Sequence, residues 1–157
     1  MRTCLFDMRH RLVCLVLTFI LAFSSGCSSY VRPHYSPDEY PYIYRAYDLT
    51  LYWKTVPQPG SLTIAGFVKN SWPAAKLEME LTATLLAADR RELGQGSFLF
   101  FPHSIDIDAT VPFNITIPLK LADQPHGLLF LYHYVVRDND DTATTFHQQV
   151  EVDLKPR

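Results

Sequence analysis

The chain has 157 residues, 48% of them hydrophobic and 19% charged, which is the composition of one ordinary globular domain. Its formal charge is −2, and removing the first 26 residues, with three arginines and one aspartate, leaves about −4. That balance excludes a nucleic-acid binder, which needs a basic stripe to neutralise phosphates.

Residues 1–26 read as an export signal. A basic start (Arg9, His10, Arg11) precedes an apolar run from Leu12 to Phe23, and small residues follow at Ser24, Ser25 and Gly26. As a helix that run reaches about 18 Å, short of the about 30 Å of a hydrocarbon core, so a permanent transmembrane helix is not expected. A start at Met8 instead of Met1 would leave out Asp7. The stretch Ser24-Ser25-Gly26-Cys27 resembles the lipobox of bacterial lipoproteins, with Ser24 where that family usually has Leu. The resemblance implies diacylglycerol on Cys27, cleavage after Gly26 and a lipid-anchored protein of the cell envelope. Ser28, in place of Asp, implies the outer membrane. The alternative is a plain secretory signal that contains a cysteine. Cys4 and Cys14 would leave with the leader, and a lone Cys27 thiol in an oxidising compartment favours acylation.

Residues 27–44 read as an extended tether. Pro33, Pro37 and Pro41 disfavour helix, and Tyr30, Tyr35, Tyr40, Tyr42 and Tyr44 are either a contact strip for glycan or partner, or rings packed on the domain's outer face. From residue 45 to 157 the pattern has period two. Leu49, Leu51 and Trp53 alternate with polar residues up to the turn Pro57-Gln58-Pro59-Gly60. Leu62, Ile64 and Val68 form a second strand, in which Gly66 at an inward position suggests a bulge or a close backbone approach. After the turn Asn70-Ser71-Trp72-Pro73, Leu77, Met79, Leu81, Ala83 and Leu85 alternate strictly, which decides for strand over helix. Further strands are Gly94–Phe101, Val111–Ile117, an almost unbroken apolar run Leu128–Val136 expected to be covered on both sides, and a last one with Phe146, Val150 and Val152.

About seven strands and no helix point to an all-β fold, an immunoglobulin-like antiparallel β-sandwich, without the Cys-Trp-Cys core of antibody domains. Residues 62–119 resemble the FxLYD-type domains of prokaryotic envelope proteins. The matching features are Gly66-Phe67-Val68-Lys69-Asn70, the long alternating strand, Gly94, and Phe113-Asn114-Ile115-Thr116-Ile117; where the family has its Leu-Tyr-Asp, this chain has Leu86-Ala87-Ala88-Asp89. The resemblance implies an extracytoplasmic setting and carries no catalytic residues.

The residues assemble no catalytic set. There is no G-x-S-x-G, and His34, His103, His126, His133 and His147 never stand at metalloenzyme spacing. His133 and His147 are the most suggestive pair, because cross-strand histidines can bind metal. Asp138-Asn139-Asp140-Asp141 reads as a solvated turn rather than a Ca²⁺ loop, and Asp106 and Asp108 on an extended segment are a bare acidic pair. No catalytic residue, metal or cofactor is therefore expected, and Asn114-Ile115-Thr116 is a sequon without force in a bacterial lipoprotein. The reading is a non-catalytic binding or assembly module, anchored to the membrane through its lipid and holding an envelope protein partner. The alternatives are a structural lipoprotein contacting the cell wall or a larger complex and, last, a metal-dependent enzyme.

Overall fold

A computed structural model of the chain describes residues 36–154, except Pro102, Leu121 and Asn139. The signal segment, Cys27, Tyr30, His34 and Tyr35 lie outside the described residues.

The alternating segments become strands because each buries one row of apolar side chains and leaves the other row wet. They are β2 (Leu49–Gln58), β3 (Ser61–Asn70), β4 (Lys76–Leu86), β5 (Glu92–Leu99), β7 (Thr110–Pro118), β8 (Gly127–Arg137) and β9 (Ala143–Asp153). Two short strands, β1 (Tyr42–Arg45) and β6 (Ser104–Ile105), add to the expected seven. One sheet has the order β1-β2-β3-β7, and the other β5-β4-β8-β9 with β6 also paired to β4. All pairings are antiparallel, so the domain is an immunoglobulin-like β-sandwich.

The core is the set of inward rows: Leu49, Leu51, Trp53, Ile64, Leu81, Leu85, Ile115, Ile117, Leu128 and Phe130 are all at most 1% exposed. Burying each such side chain contributes about 1.5–3 kcal/mol. Trp53 of the first sheet meets Phe130 of the second edge to face at 5.1 Å. The sheets also converge along one flank, between β5 and β7. A Cβ at Gly96 would sit 2.8 Å from Ile115 Cγ2, and one at Gly94 2.6 Å from the Pro118 carbonyl oxygen. Gly66 is the expected close approach: a Cβ there would overlap the Tyr52 carbonyl oxygen and lie 2.9 Å from the Phe113 ring.

Three expectations gain particulars. Residues 36–44, the described end of the segment expected to be extended, lie along the domain. A 3-10 turn at Pro37–Glu39 leads into β1, Tyr42 stacks on Trp53 at 5.5 Å, and Tyr40 meets Phe67 edge to face at 4.9 Å on the outer face of the first sheet. Tyr40, together with Tyr52, covers Phe67, an outward residue of β3 that is only 3% exposed. Second, Leu77 is not in phase with Met79. The register of β4 against β8 slips by one residue between Leu77 and Glu80, around Glu78 at φ 52°, so Lys76 turns inward and Leu77 is half-buried. Third, β8 is covered on one side only: Leu128, Phe130, Tyr132 and Tyr134 face the core, while Leu131 faces outward and is 44% exposed. Among the described residues no helix is long and apolar enough to cross a membrane.

Candidate functional site

The second sheet turns a full face and one long edge to solvent. Its outward rows run across four strands by register: Leu99, Glu80, His133, His147; then Ser97, Thr82, Leu131, Gln149; then Gln95, Thr84, Leu129, Glu151. Leu131 lies at the centre of this face, and Leu99, 56% exposed, at its far side. The rest is small or polar: Thr82 and Ser97 share a hydrogen bond of 2.8 Å, and Arg90 reaches Glu151 as an ion pair.

The edge is β9. It pairs with β8 over eleven consecutive residues without a register break, and it is the last strand of its sheet. The direction of its backbone groups follows from the flanking bonds. Asp138 N–H donates to the Thr142 carbonyl and Leu154 N–H to the His126 carbonyl, both in the same register as the ladder. Even-numbered residues therefore bond to β8, and the odd-numbered Ala143, Thr145, His147, Gln149, Glu151 and Asp153 aim their N–H and C=O groups away from the sheet. Natural sheets blunt such edges with prolines, lysines, bulges or short strands. β1 has only four residues, β7 carries Pro112 and Pro118, and β5 has a register shift near Leu85/Leu86 and lies against β7. β9 has no proline, lysine or register break, and its charged side chains are Glu151 and Asp153 at one end.

The histidine pair is real in register. His133 faces His147, with ring centroids 5.6 Å apart, and His133 Nε2 lies 3.8 Å from Glu80 Oε2. Among the described residues, however, no group of three or more His, Cys, Asp or Glu is placed to hold a metal ion. His103 and His126 are exposed and apart from this pair, His103 lying against the Phe101 ring. The acidic turn closes on itself: Thr142, through its side chain first and then through its N–H donated to Asp140 Oδ1, holds the Asp140 carboxyl below its usual range, and Arg137 lies 3.6 Å from Asp141. Asp106 and Asp108 do not share an extended face. Ala109 N–H bonds back to the Asp106 carbonyl in a turn, with Asp108 at φ 58°. Asn114 and Thr116 are exposed on β7.

One polar cluster is buried, and the residue pattern did not announce it. Asp48, 0% exposed, accepts hydrogen bonds from the Tyr134 hydroxyl at 2.7 Å and the Tyr132 hydroxyl at 3.4 Å. Burial, reinforced by the Asp48 carboxylate, pushes both phenols above their ordinary value. Lys76, also 0% exposed, places Nζ 4.0 Å from the centre of the Tyr134 ring and has no hydrogen-bond acceptor among the described residues. Burial lowers its ammonium to about 8, against the opposing pull of Asp48. Nearby, Asn70 Nδ2 donates to the carbonyls of Ala74, Ile105 and Asp106, tying the turn after β3 to β6. Asp48, Asn70 and Lys76 are each closed to solvent, and their bonds and contacts tie the start of β2, the turn after β3, β4, β6 and β8 together at one end of the sandwich.

No family model matches the chain, and no curated protein matches it. Solved structures of similar form exist. A crystal structure from Bordetella pertussis, described as an ApaA protein, shares 11% identity at TM-score 0.43, covering 68% of this chain and 93% of that one. A β-glucuronidase of glycoside hydrolase family 2 shares 8% identity at TM-score 0.37 over 69% of this chain and 11% of the enzyme. A solution structure from Arabidopsis thaliana shares 12% identity at TM-score 0.41, covering 66% of this chain and 76% of that one.

Proposed function

We propose that this chain is a lipid-anchored envelope protein, acylated on Cys27 and sorted to the outer membrane, whose β-sandwich is a non-catalytic protein-binding or assembly module. The observation that carries the reading is the open edge of β9, beside an outer face with Leu131 at its centre. A row of outward N–H and C=O groups accepts an added strand, and the side chains beside it select the partner. The lipobox-like residues 24–27 and the FxLYD-like pattern of residues 62–119 favour this over catalysis.

The test uses the acylated chain in intact envelopes. Gln149→Pro removes an outward N–H without touching the β8–β9 ladder, because residue 149 is odd-numbered and proline is tolerated on a free edge. Cross-linking should recover a defined envelope protein with the wild-type chain and lose it with Gln149→Pro. Cys27→Ala should abolish acylation and release the protein from the membrane. Unchanged acylation and membrane retention after Cys27→Ala would remove the anchor from the proposal, and unchanged recovery with Gln149→Pro would remove the edge.

A further inference from the structure

We infer that the strand added to β9 is β9 of a second copy, joining two sandwiches through an antiparallel, two-fold symmetric sheet. The inference rests on the reading of β9 as the binding edge and names its occupant.

Symmetry restricts the possible registers. A two-fold axis pairs residue i of one copy with residue j of the other so that their sum is constant. Only odd-numbered residues present outward groups, so both members of each hydrogen-bonded pair must be odd. Centring the axis on Gln148 pairs Ala143 with Asp153, Thr145 with Glu151, and His147 with Gln149 of the second copy. It is the one centre that satisfies the outward groups of every odd residue from Ala143 to Asp153. Centring on His147 leaves Asp153 unpaired, and centring on Gln149 leaves Ala143 unpaired.

Charge favours the same register. The acids of β9 are confined to its end, at Glu151 and Asp153, and the middle of the strand, from Phe146 to Val150, carries no acid. In the antiparallel pair each acidic end lies over Thr145 and Ala143 of the other strand, so no like charges stand directly opposite, and Asp141, two residues before Ala143, is the nearest acid on the diagonal. Arg137, paired with Ala143 in β8 and 3.6 Å from Asp141, then stands two strands from the second copy's Asp153, on the same outward row. A parallel arrangement in register would instead set Glu151 and Asp153 against themselves. Pairing also makes the outer faces of the two second sheets continuous, with Leu131 and Leu129 of each copy flanking the seam.

The experiment is disulfide cross-linking of the full acylated chain in its own membrane. In this register Gln148 faces its symmetry mate as a non-hydrogen-bonded pair, with Cα atoms about 4.5 Å apart, a distance that accepts a disulfide. Thr144 lies about 27 Å from its own mate, eight residues along the strand. Under mild oxidation Gln148→Cys should give at least ten-fold more covalent dimer than Thr144→Cys, with the chain lacking either change as baseline. Two exposed substitutions then read the register without disturbing the fold: Thr145→Lys, set against Glu151 of the second copy, should raise the Gln148→Cys dimer yield, and Thr145→Glu should lower it several-fold.

No excess of dimer with Gln148→Cys over Thr144→Cys overturns the inference. So does a dimer yield indifferent to the charge at residue 145. Either result, together with recovery of a different envelope protein that Gln149→Pro abolishes, leaves β9 a binding edge with another occupant. Membrane retention after Cys27→Ala, with no change at the edge, counts against the anchor alone.

Discussion

Replacing Lys76 with Met tests the physics of the buried cluster. At pH 7 the Lys76 ammonium is charged and buried, 0% exposed, with its ordinary value of 10.5 lowered to about 8. Each tenfold change in proton affinity is 1.36 kcal/mol, so confinement of the charge costs the fold about 3 kcal/mol. Methionine fills a similar volume without that cost. It forfeits the contact of Nζ with the Tyr134 ring, worth about 1–2 kcal/mol when desolvated, and removes a cation near Asp48. The net expectation is a gain of about 1–2 kcal/mol, raising the thermal midpoint by about 3–8 °C for a domain of this size. The pH profile is the sharper readout. Between pH 8 and 10.5 the unfolded chain keeps the Lys76 proton that the folded chain has released, so stability rises with pH, by at most about 1.4 kcal/mol per pH unit. Tyr132 and Tyr134 act oppositely above pH 10: their raised affinities keep protons that the unfolded chain loses, and stability falls there. The wild-type profile should peak near pH 10, whereas Lys76→Met should be flat between pH 8 and 10 and then fall. Urea denaturation followed by tryptophan fluorescence at pH 7, 8, 9 and 10 measures both. A variant more than 1 kcal/mol less stable at pH 7, with a wild-type profile flat from pH 8 to 10, would refute the reasoning: the contacts of the ammonium would then outweigh its desolvation.

Three further outcomes follow from packing. Gly66→Ala should cost at least about 2 kcal/mol in urea titrations, since the new methyl overlaps the Tyr52 carbonyl; a change under 0.5 kcal/mol would mean that β2 and β3 can part freely. Phe67→Ala should cost about 3 kcal/mol and speed proteolysis within residues 36–41, because Tyr40 loses its seat on the first sheet; equal cleavage rates would detach that segment from the sheet's stability. Leu131→Lys should change stability by less than about 1 kcal/mol, while reducing recovery of whatever binds the second sheet; a cost near that of a core residue would show Leu131 to be covered.

The fold was legible because Leu49, Leu51 and Trp53 in β2, Leu62, Ile64 and Val68 in β3, and Phe113, Ile115 and Ile117 in β7 each keep one parity. Parity fails where a backbone event flips it, and Glu78, neither glycine nor asparagine, gives no hint of its positive φ. Hence Lys76 reads as a polar residue before the strand, although the bulge turns it into the core. Asp48 is hidden for a different reason. Its partners Tyr132 and Tyr134 lie 84 and 86 residues away, a pairing that no local pattern encodes. Tyr40 and Tyr42 sit in a proline-spaced segment that disfavours helix, yet prolines do not forbid a strand of four residues stacked on Trp53. The His133–His147 register was foreseeable from two strands joined by the 138–141 turn. The free edge was not: hydrophobicity in β8 is the same whether its outer face meets another layer or water, and only the strand order shows β9 to be terminal.

The energetics of a β9–β9 seam tie the two proposals together. Pairing the odd residues of both copies forms about twelve backbone hydrogen bonds, each worth about 1 kcal/mol net of water. Little apolar surface joins them, since the outward side chains are threonine, histidine, glutamine and acids around a few leucines. Association costs about 4–15 kcal/mol in lost freedom, the same order as the gain, so two copies in dilute solution would pair weakly. The acyl chain proposed on Cys27 would change this without adding a contact. Copies held on one membrane surface meet at a raised effective concentration. Cys27→Ala should therefore lower the covalent dimer yield of Gln148→Cys at least several-fold at equal expression, and concentrating the released protein should restore it. A yield unaffected by Cys27→Ala would show that the seam is strong by itself, and that more than hydrogen bonds along one strand holds the copies together.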